Sequence, residues 1–178
     1  HGKLYLIGGW NPTDQENFPL ITSNDVWRSD DYGVSWNRIK ENSYKLGFKR
    51  GELDFEGRHT AGYVSLGDYI YIVGGDANQG YHINDVLRSK DGKKWETVNK
   101  NPPWAPRALH ITFVKGNFIY VLGGQTMPKL AFKNTNLSET YYRDLWRSRD
   151  GKDWEKVNLK HPITPTGGIG GDGFTSVS

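Results

Sequence analysis

The chain has no cysteine and a single methionine. It therefore has no disulfide framework, no thiolate metal site and no cysteine nucleophile; the absence excludes chemistry, not a compartment. No apolar run approaches the roughly 20 residues of a membrane-spanning helix. The opening stretch HGKLYLIGGW has no basic region followed by a long apolar core, so no signal peptide is read in it. Blocks of one charge are missing too: 23 Lys and Arg are interspersed with 20 Asp and Glu, for a net charge of +3. Dispersed charge of this kind is a solvated surface and not the footprint of a nucleic-acid binder. Finally, no window sustains a 3.6-residue apolar period, and Gly and Pro interrupt every candidate helix.

What remains is rich in glycine, 22 residues, and in aromatics, 13% of the 178 residues. That balance suits short strands joined by tight turns. Self-similarity then organises the chain. SDDYGVSW ends at Trp36, SKDGKKW at Trp95 and SRDGKDW at Trp154, an equal spacing of 59 residues (36 to 95, 95 to 154). Each box follows a matching strand, NDVWRS at 24–29, NDVLRS at 84–89 and RDLWRS at 143–148. A second element recurs as KLYLIGG, YIYIVGG and FIYVLGG, apolar runs closed by Gly8 and Gly9, Gly74 and Gly75, and Gly123 and Gly124. Ahead of two of these runs lies a further strand, HTAGYVSL from His59 and LHITFVKG from Leu109, reached through Arg58 and Arg107. Four short strands per unit, repeated, predict small sheets that bury their faces against one another. Within the boxes, Asp31, Asp91 and Asp150 are placed to accept turn amides, Gly33, Gly92 and Gly151 to take positive φ, and Trp36, Trp95 and Trp154 to pack on the sheet. They read as a folding device and not as catalytic carboxylates.

The glycine pair after an apolar strand, followed by Asn-Asp-Val and later by a tryptophan, resembles the kelch repeat over nearly the whole chain. The boxes are similar to the Asp-box of sialidase-like propellers, the second and third copies being one residue shorter than the first. The resemblance implies an all-β fold, a β-propeller of four-stranded antiparallel blades, with the Asp-boxes on the blade periphery and Arg58 and Arg107 bracing neighbouring blades. It divides the chain into a partial blade with its inter-blade loop (1–57), complete blades at 58–103 and 104–162, and the start of another at 163–178. About three blades are fewer than the 4 to 8 of a closed ring, so an incomplete ring is expected, completed by remaining blades of the same polypeptide, with closure by oligomerisation as the alternative.

In such a blade the connections alternate between two ends. One end has short turns, at 66–68, 115–117 and the boxes; the other has long loops, at about 10–23, 40–57, 76–83, 99–106 and 125–142. Long loops on one rim mark a binding face. They carry Trp10, Phe18, Tyr44, Phe48, Tyr81, His82, Trp104, Phe132 and Tyr141, the aromatic types that stack on sugars or anchor protein partners. Asn136-Leu137-Ser138 is an N-glycosylation acceptor, which leans the setting toward secreted or cell-surface. His59, His82, His110 and His161 are too dispersed for a metal motif. The Gly168–Gly173 run matches a dinucleotide fingerprint without its framing strand and helix. A galactose-oxidase-type copper site needs a cysteine, and no sialidase arginine triad is identifiable. The expectation is a non-catalytic module binding protein or glycan, with no cofactor and no metal. A fragment of a carbohydrate-active propeller enzyme, with its catalytic residues in blades outside this stretch, is the alternative.

Overall fold

The computed structural model describes residues 2–127 and 138–161. Phe132, Asn136 and the 163–178 stretch lie outside the described residues. The described chain is all-β: thirteen strands and no helix, and so no helix long and apolar enough to cross a membrane. The first sheet is β1 (Leu4–Trp10), β2 (Thr22–Ser29) and β3 (Asn37–Lys40). The second is β4 (Gly62–Leu66), β5 (Tyr69–Asp76), β6 (His82–Ser89) and β7 (Glu96–Asn99). The third takes β8 (Ile111–Lys115), β9 (Phe118–Leu122), β12 (Leu145–Ser148) and β13 (Trp154–Lys156), while β10 (Gln125–Thr126) and β11 (Thr140–Tyr141) form a two-stranded ribbon. All pairing is antiparallel between strands that follow one another in space, and none of the sheets closes on itself.

The sequence repeat reappears as one register. Tyr5 opposes Arg28, Tyr71 opposes Arg88 and Tyr120 opposes Arg147; one residue earlier, Leu4, Ile70 and Ile119 oppose Ser29, Ser89 and Ser148. The glycine pairs have a physical reason. At Ile7/Gly9 and Val73/Gly75 the register shifts by a bulge, and all six glycines hold positive φ. A Cβ on Gly75 would lie 2.7 Å from that of Ala61, and one on Gly124 2.8 Å from Ala108 O, so the pair also admits a neighbouring segment that a side chain would exclude.

Two strands are shorter than the sequence predicts. His59 and Ala108 make only isolated bridges, to Asp76 and Gln125, and β4 and β8 begin at Gly62 and Ile111. Thr60 and Leu109, with φ of 51° and 57°, break the ladder in between.

Packing follows the two-residue period of the strands. Ile70, Ile72, Leu87 and Trp95 meet Tyr5, Ile7, Val26 and Ile39 of the first sheet, with Phe55 between them. Tyr71, Val73 and Val86, on the opposite face of the same strands, meet Ile119, Val121, Trp146 and Trp154 of the third. The second sheet is thus buried on both sides, which is why β5 reads as an unbroken apolar run. Fully burying one such aliphatic side chain contributes about 1.5–3 kcal/mol.

The three boxes close the β2–β3, β6–β7 and β12–β13 connections in one way. Ser29, Ser89 and Ser148 Oγ each accept the amide of Gly33, Gly92 or Gly151 at 2.8 Å. Trp36, Trp95 and Trp154 donate their indole N–H to the carbonyls of those glycines at 3.1, 2.9 and 2.8 Å. Asp91 Oδ1 accepts the amides of Lys93 and Lys94, and Asp150 Oδ1 those of Lys152 and Asp153. In the longer first box Asp31 accepts the amide and hydroxyl of Ser35, which, with the Ser29 hydroxyl, hold its carboxyl at about 2. Asp91 and Asp150 are lowered as well, because their turn amides outweigh the upward push of burial.

A carboxyl whose pKa falls on folding adds stability above its unfolded value, about 4, and that contribution is lost as pH drops through the folded value. The melting temperature is therefore expected to decline from about pH 4 toward about pH 2, and the Asp31 carboxyl to titrate near 2 by NMR. A melting temperature flat across that window, or an Asp31 titration near 4, would contradict this account of the boxes.

Arg58 and Arg107 tie consecutive sheets together. The Arg58 amide donates to Ser23 O at 3.1 Å and its carbonyl accepts the Gly9 amide at 3.0 Å, both in the first sheet. Its guanidinium turns to the second, where Nη1 donates to Asp85 Oδ1 at 2.7 Å and Gly74 O at 3.2 Å. Arg107 repeats the arrangement one sheet on. Its backbone bonds Ile83 O and Gly75 N, and its guanidinium holds Gly123 O at 2.8 Å and Asp144 Oδ1 at 2.6 Å. Both side chains are buried. Burial pushes the Asp85 carboxyl up, but Arg58, and then Arg50, which reaches it at 3.0 Å, draw it below the usual carboxylate range. An anionic ligand at either arginine would have to displace these pairs.

Candidate functional site

The turns at 67–68 and 116–117 and the three boxes lie at one end of the sheets, because β4–β5 and β8–β9 pair next to them and Ser89 opposes Ile70. The loops after Trp10, Lys40, Asp76 and Asn99 leave from the other end. Side chains stitch that end across sheets: Thr22 Oγ1 donates to Ala77 O at 2.9 Å, and Ile21 N to Asn78 Oδ1 at 3.4 Å.

Among these loops is a pocket of about 150 Å³ whose lining includes Trp10, His59, Asp76, Gln79, His82 and Met127. Asp76, at the end of β5, organises one wall. Its carboxylate accepts the amides of Asn78 and Tyr81 at 3.1 and 3.0 Å and also that of Gly80, while Ala77 N closes the turn on Tyr81 O at 2.9 Å. Committed to three amides, Asp76 is a loop former. His82 is fixed by the same turn: its Nδ1 lies 3.1 Å from Gly80 O and its Nε2 3.5 Å from the Met127 amide. Those partners assign the proton to Nδ1 and leave Nε2 as acceptor. Burial lowers its pKa, so the ring is neutral at pH 7.

His59 differs. Burial lowers its pKa as well, and its Nε2, though shielded from solvent and 3.8 Å from Asp76 Oδ2, has no hydrogen-bond partner among the described residues. Over it lies the Trp10 indole, 49% exposed, with the ring centroids 5.9 Å apart. Thr60, Gln79 and Leu109, all at positive φ, hold the backbone around the pocket in a conformation that such side chains seldom adopt. A flat half-exposed ring beside the Gln79 side-chain amide can stack on an apolar face while the amide hydrogen-bonds its polar edge. No cluster of three metal-ligating side chains occurs among the described residues.

Of the aromatic loop residues singled out from sequence, the pocket gathers Trp10 and His82. Phe18, Tyr81 and Tyr141 are exposed but line other parts of the loop end. Tyr44 and Trp104 are buried in the core. Tyr44 is buried, its hydroxyl pushed up to about 12 by burial, and the half-buried Phe48 packs edge-on against it at 5.1 Å. Trp104 is 1% exposed and packs on Trp154 at 5.7 Å, filling the space between the second and third sheets. His110 is likewise structural: it reaches Val73 O at 3.1 Å, and burial, with Arg107 nearby, lowers its pKa to about 3. His59 and Asp76 had given only weak signals. Asp76-Ala-Asn-Gln-Gly80 is a turn sequence whose leading carboxylate caps it, whereas nothing local marks His59 as a neighbour of Trp10. No family model matches the chain, and no curated protein matches it.

Proposed function

We propose that the chain is a run of kelch-type β-propeller blades with Asp-box turns, serving as a non-catalytic binding or scaffolding module whose long-loop end takes a protein or glycan partner. Three sheets of one register, each burying a face against the next, support the fold half of this reading. On it, the ring is completed by further blades, and the Asn136 sequon favours a secreted or cell-surface setting. The observation that carries the functional half is the exposed Trp10 indole beside the His59 ring, in a pocket whose lining also includes Gln79 and His82. The fold has no say in the matter, since propellers host many unrelated functions.

The test is a glycan array, with the best hits carried into calorimetry on wild type and Trp10→Ala. The expected outcome is a ligand whose affinity falls about tenfold or more in the variant, as at an aromatic hot spot, while folding stability changes by about 1 kcal/mol or less because the ring is half exposed. Binding that is indifferent to Trp10 would place the partner surface elsewhere and remove the basis for this reading.

A further inference from the structure

Two of the chain's three Asp-Gly pairs, Asp91-Gly92 and Asp150-Gly151, lie inside the serine boxes, whereas in the first box Tyr32 stands between Asp31 and Gly33. Asp-Gly is the dipeptide most open to backbone rearrangement, because glycine has no side chain to keep its nitrogen from the carboxyl group before it. The nitrogen attacks Cγ of the aspartate and gives up its proton, and one carboxyl oxygen leaves as water, closing a succinimide ring. Water then opens the ring at either carbonyl. One opening restores aspartate; the other gives isoaspartate, in which the main chain runs through Cβ and Cγ and is one atom longer.

In both boxes the groups that would have to meet are held by other partners. Gly92 N donates to Ser89 Oγ at 2.8 Å, and the same hydroxyl donates to Asp91 Oδ1 at 3.1 Å. Ser148 repeats this with Gly151 N at 2.8 Å and Asp150 Oδ1 at 3.1 Å. One hydroxyl therefore engages the attacking nitrogen and its target at once. Oδ1 also accepts the amides of Lys93 and Lys94 at 2.8 and 3.0 Å, or of Lys152 and Asp153 at 2.8 and 3.1 Å, which ties the carboxyl group to the turn. Burial pushes both carboxyls up, but these amides and the serine draw them below the usual range; ionised, they are poorer electrophiles than the acid. Glycine is nevertheless required. Gly92 and Gly151 hold φ of 76° and 78°, and a Cβ on them would lie 2.9 Å from Ile39 Cδ1 or 3.0 Å from Tyr71 Cε1 of the preceding sheet. Packing thus imposes the reactive dipeptide, and the serine restrains it.

We propose that Asp91-Gly92 and Asp150-Gly151 are sites of isoaspartate formation kept unreactive by Ser89 and Ser148, and that Asp150 is the first to convert. Reaction requires the box to open, and opening is easiest where the fewest buried contacts are lost. Trp95 is 0% exposed and its amide donates to Leu53 O at 3.1 Å, so its box opens only with the packing between the first and second sheets. Trp154 is half-buried, and its box gives way sooner. Once isoaspartate has formed, the added main-chain atom carries the carboxylate away from the turn amides and the box does not reclose. The inference rests on turn geometry alone and is independent of the binding role of the loop end.

The folded 178-residue chain and the free peptide SRDGKDW, residues 148–154, are aged side by side at neutral pH. Isoaspartate at each position is counted by fragmentation mass spectrometry after digestion and by enzymatic methylation of the isoaspartyl group. The peptide is expected to convert about tenfold or more faster than the same sequence in the folded chain. In the chain, isoaspartate is expected at Asp150 ahead of Asp91, and none at Asp31. Ser148→Ala is expected to speed conversion at Asp150 by about fivefold or more, as one hydrogen bond is lost, and to leave Asp91 unchanged. Asp91 in the same molecules controls for a general loss of fold. If the variant does not fold, the order of the two sites in the unaltered chain and its ratio to the peptide decide the matter. Conversion in the folded chain as fast as in the peptide, Asp91 converting as early as Asp150, or a Ser148→Ala chain in which both sites accelerate alike or neither does would overturn the proposal.

Discussion

Replacing Arg58 by methionine is expected to lower folding stability by about 3–5 kcal/mol, the cost of leaving a buried carboxylate without its cation. The side chain is 0% exposed, its partner Asp85 is 9% exposed, and the pair closes at 2.7 Å. The backbone of the same residue is held by the first sheet and its guanidinium by the second, so the loss acts on the contact between sheets as well as on one ion pair. Arg50 also reaches Asp85, at 3.0 Å, but is itself partly exposed and divides its charge with Glu56. Arg58→Lys is expected to recover only part of the loss, because one ammonium can take the place of Nη1 at Asp85 Oδ1 and Gly74 O but not of Nε, which donates to Glu56 O at 3.2 Å. Arg58→Met combined with Asp85→Leu is expected to regain much of the loss, since a missing pair costs less than a broken one. Urea denaturation monitored by tryptophan fluorescence measures all three. A loss below about 1 kcal/mol for Arg58→Met would show that the clasp is not a principal support. The same change at Arg107 is expected to cost less, because Asp144 is 19% exposed and water can reach it.

Trp95→Ala and Trp36→Ala are expected to differ by several kcal/mol although the two residues hold one position in the repeat. Both donate their indole N–H to the glycine carbonyl three residues back. Trp95, however, is fully buried between the first and second sheets, edge-on to Phe55 at 5.4 Å, whereas Trp36 is 39% exposed on a face of the first sheet that no other sheet covers among the described residues. Truncating a buried tryptophan costs about 3–5 kcal/mol through lost transfer energy and the cavity left behind. For the exposed copy about 1 kcal/mol or less is expected. Equal costs would mean that the turn hydrogen bond, and not packing between sheets, is what the tryptophan contributes.

The contrast between these two tryptophans also shows how far the linear code reaches. Repetition of YIYIVGG and SKDGKKW marks the strand order, the register and the turn chemistry, because each depends on neighbours within a few residues or on a strand directly alongside. The candidate loop residues were less legible. Trp10, Tyr44 and Trp104 are all aromatic residues in long loops, and no local pattern separates the exposed one from the two that fill gaps between sheets. Likewise, Arg58 and Arg107 are plain in the repeat, but that each binds one sheet with its backbone and the next with its side chain is a property of two sheets at once.

By itself, the order of residues determined the all-β character, the repeating unit and the Ser-Asp-Gly-Trp turns, all consequences of local sterics and hydrogen bonding between adjacent segments. Only the tertiary structure decided which tryptophans are core, that Trp10 meets His59, and that Arg58 and Arg107 each join two sheets. Those depend on which surfaces face one another, and burial and charge pairing are set by distance in space, to which separation along the chain is no guide.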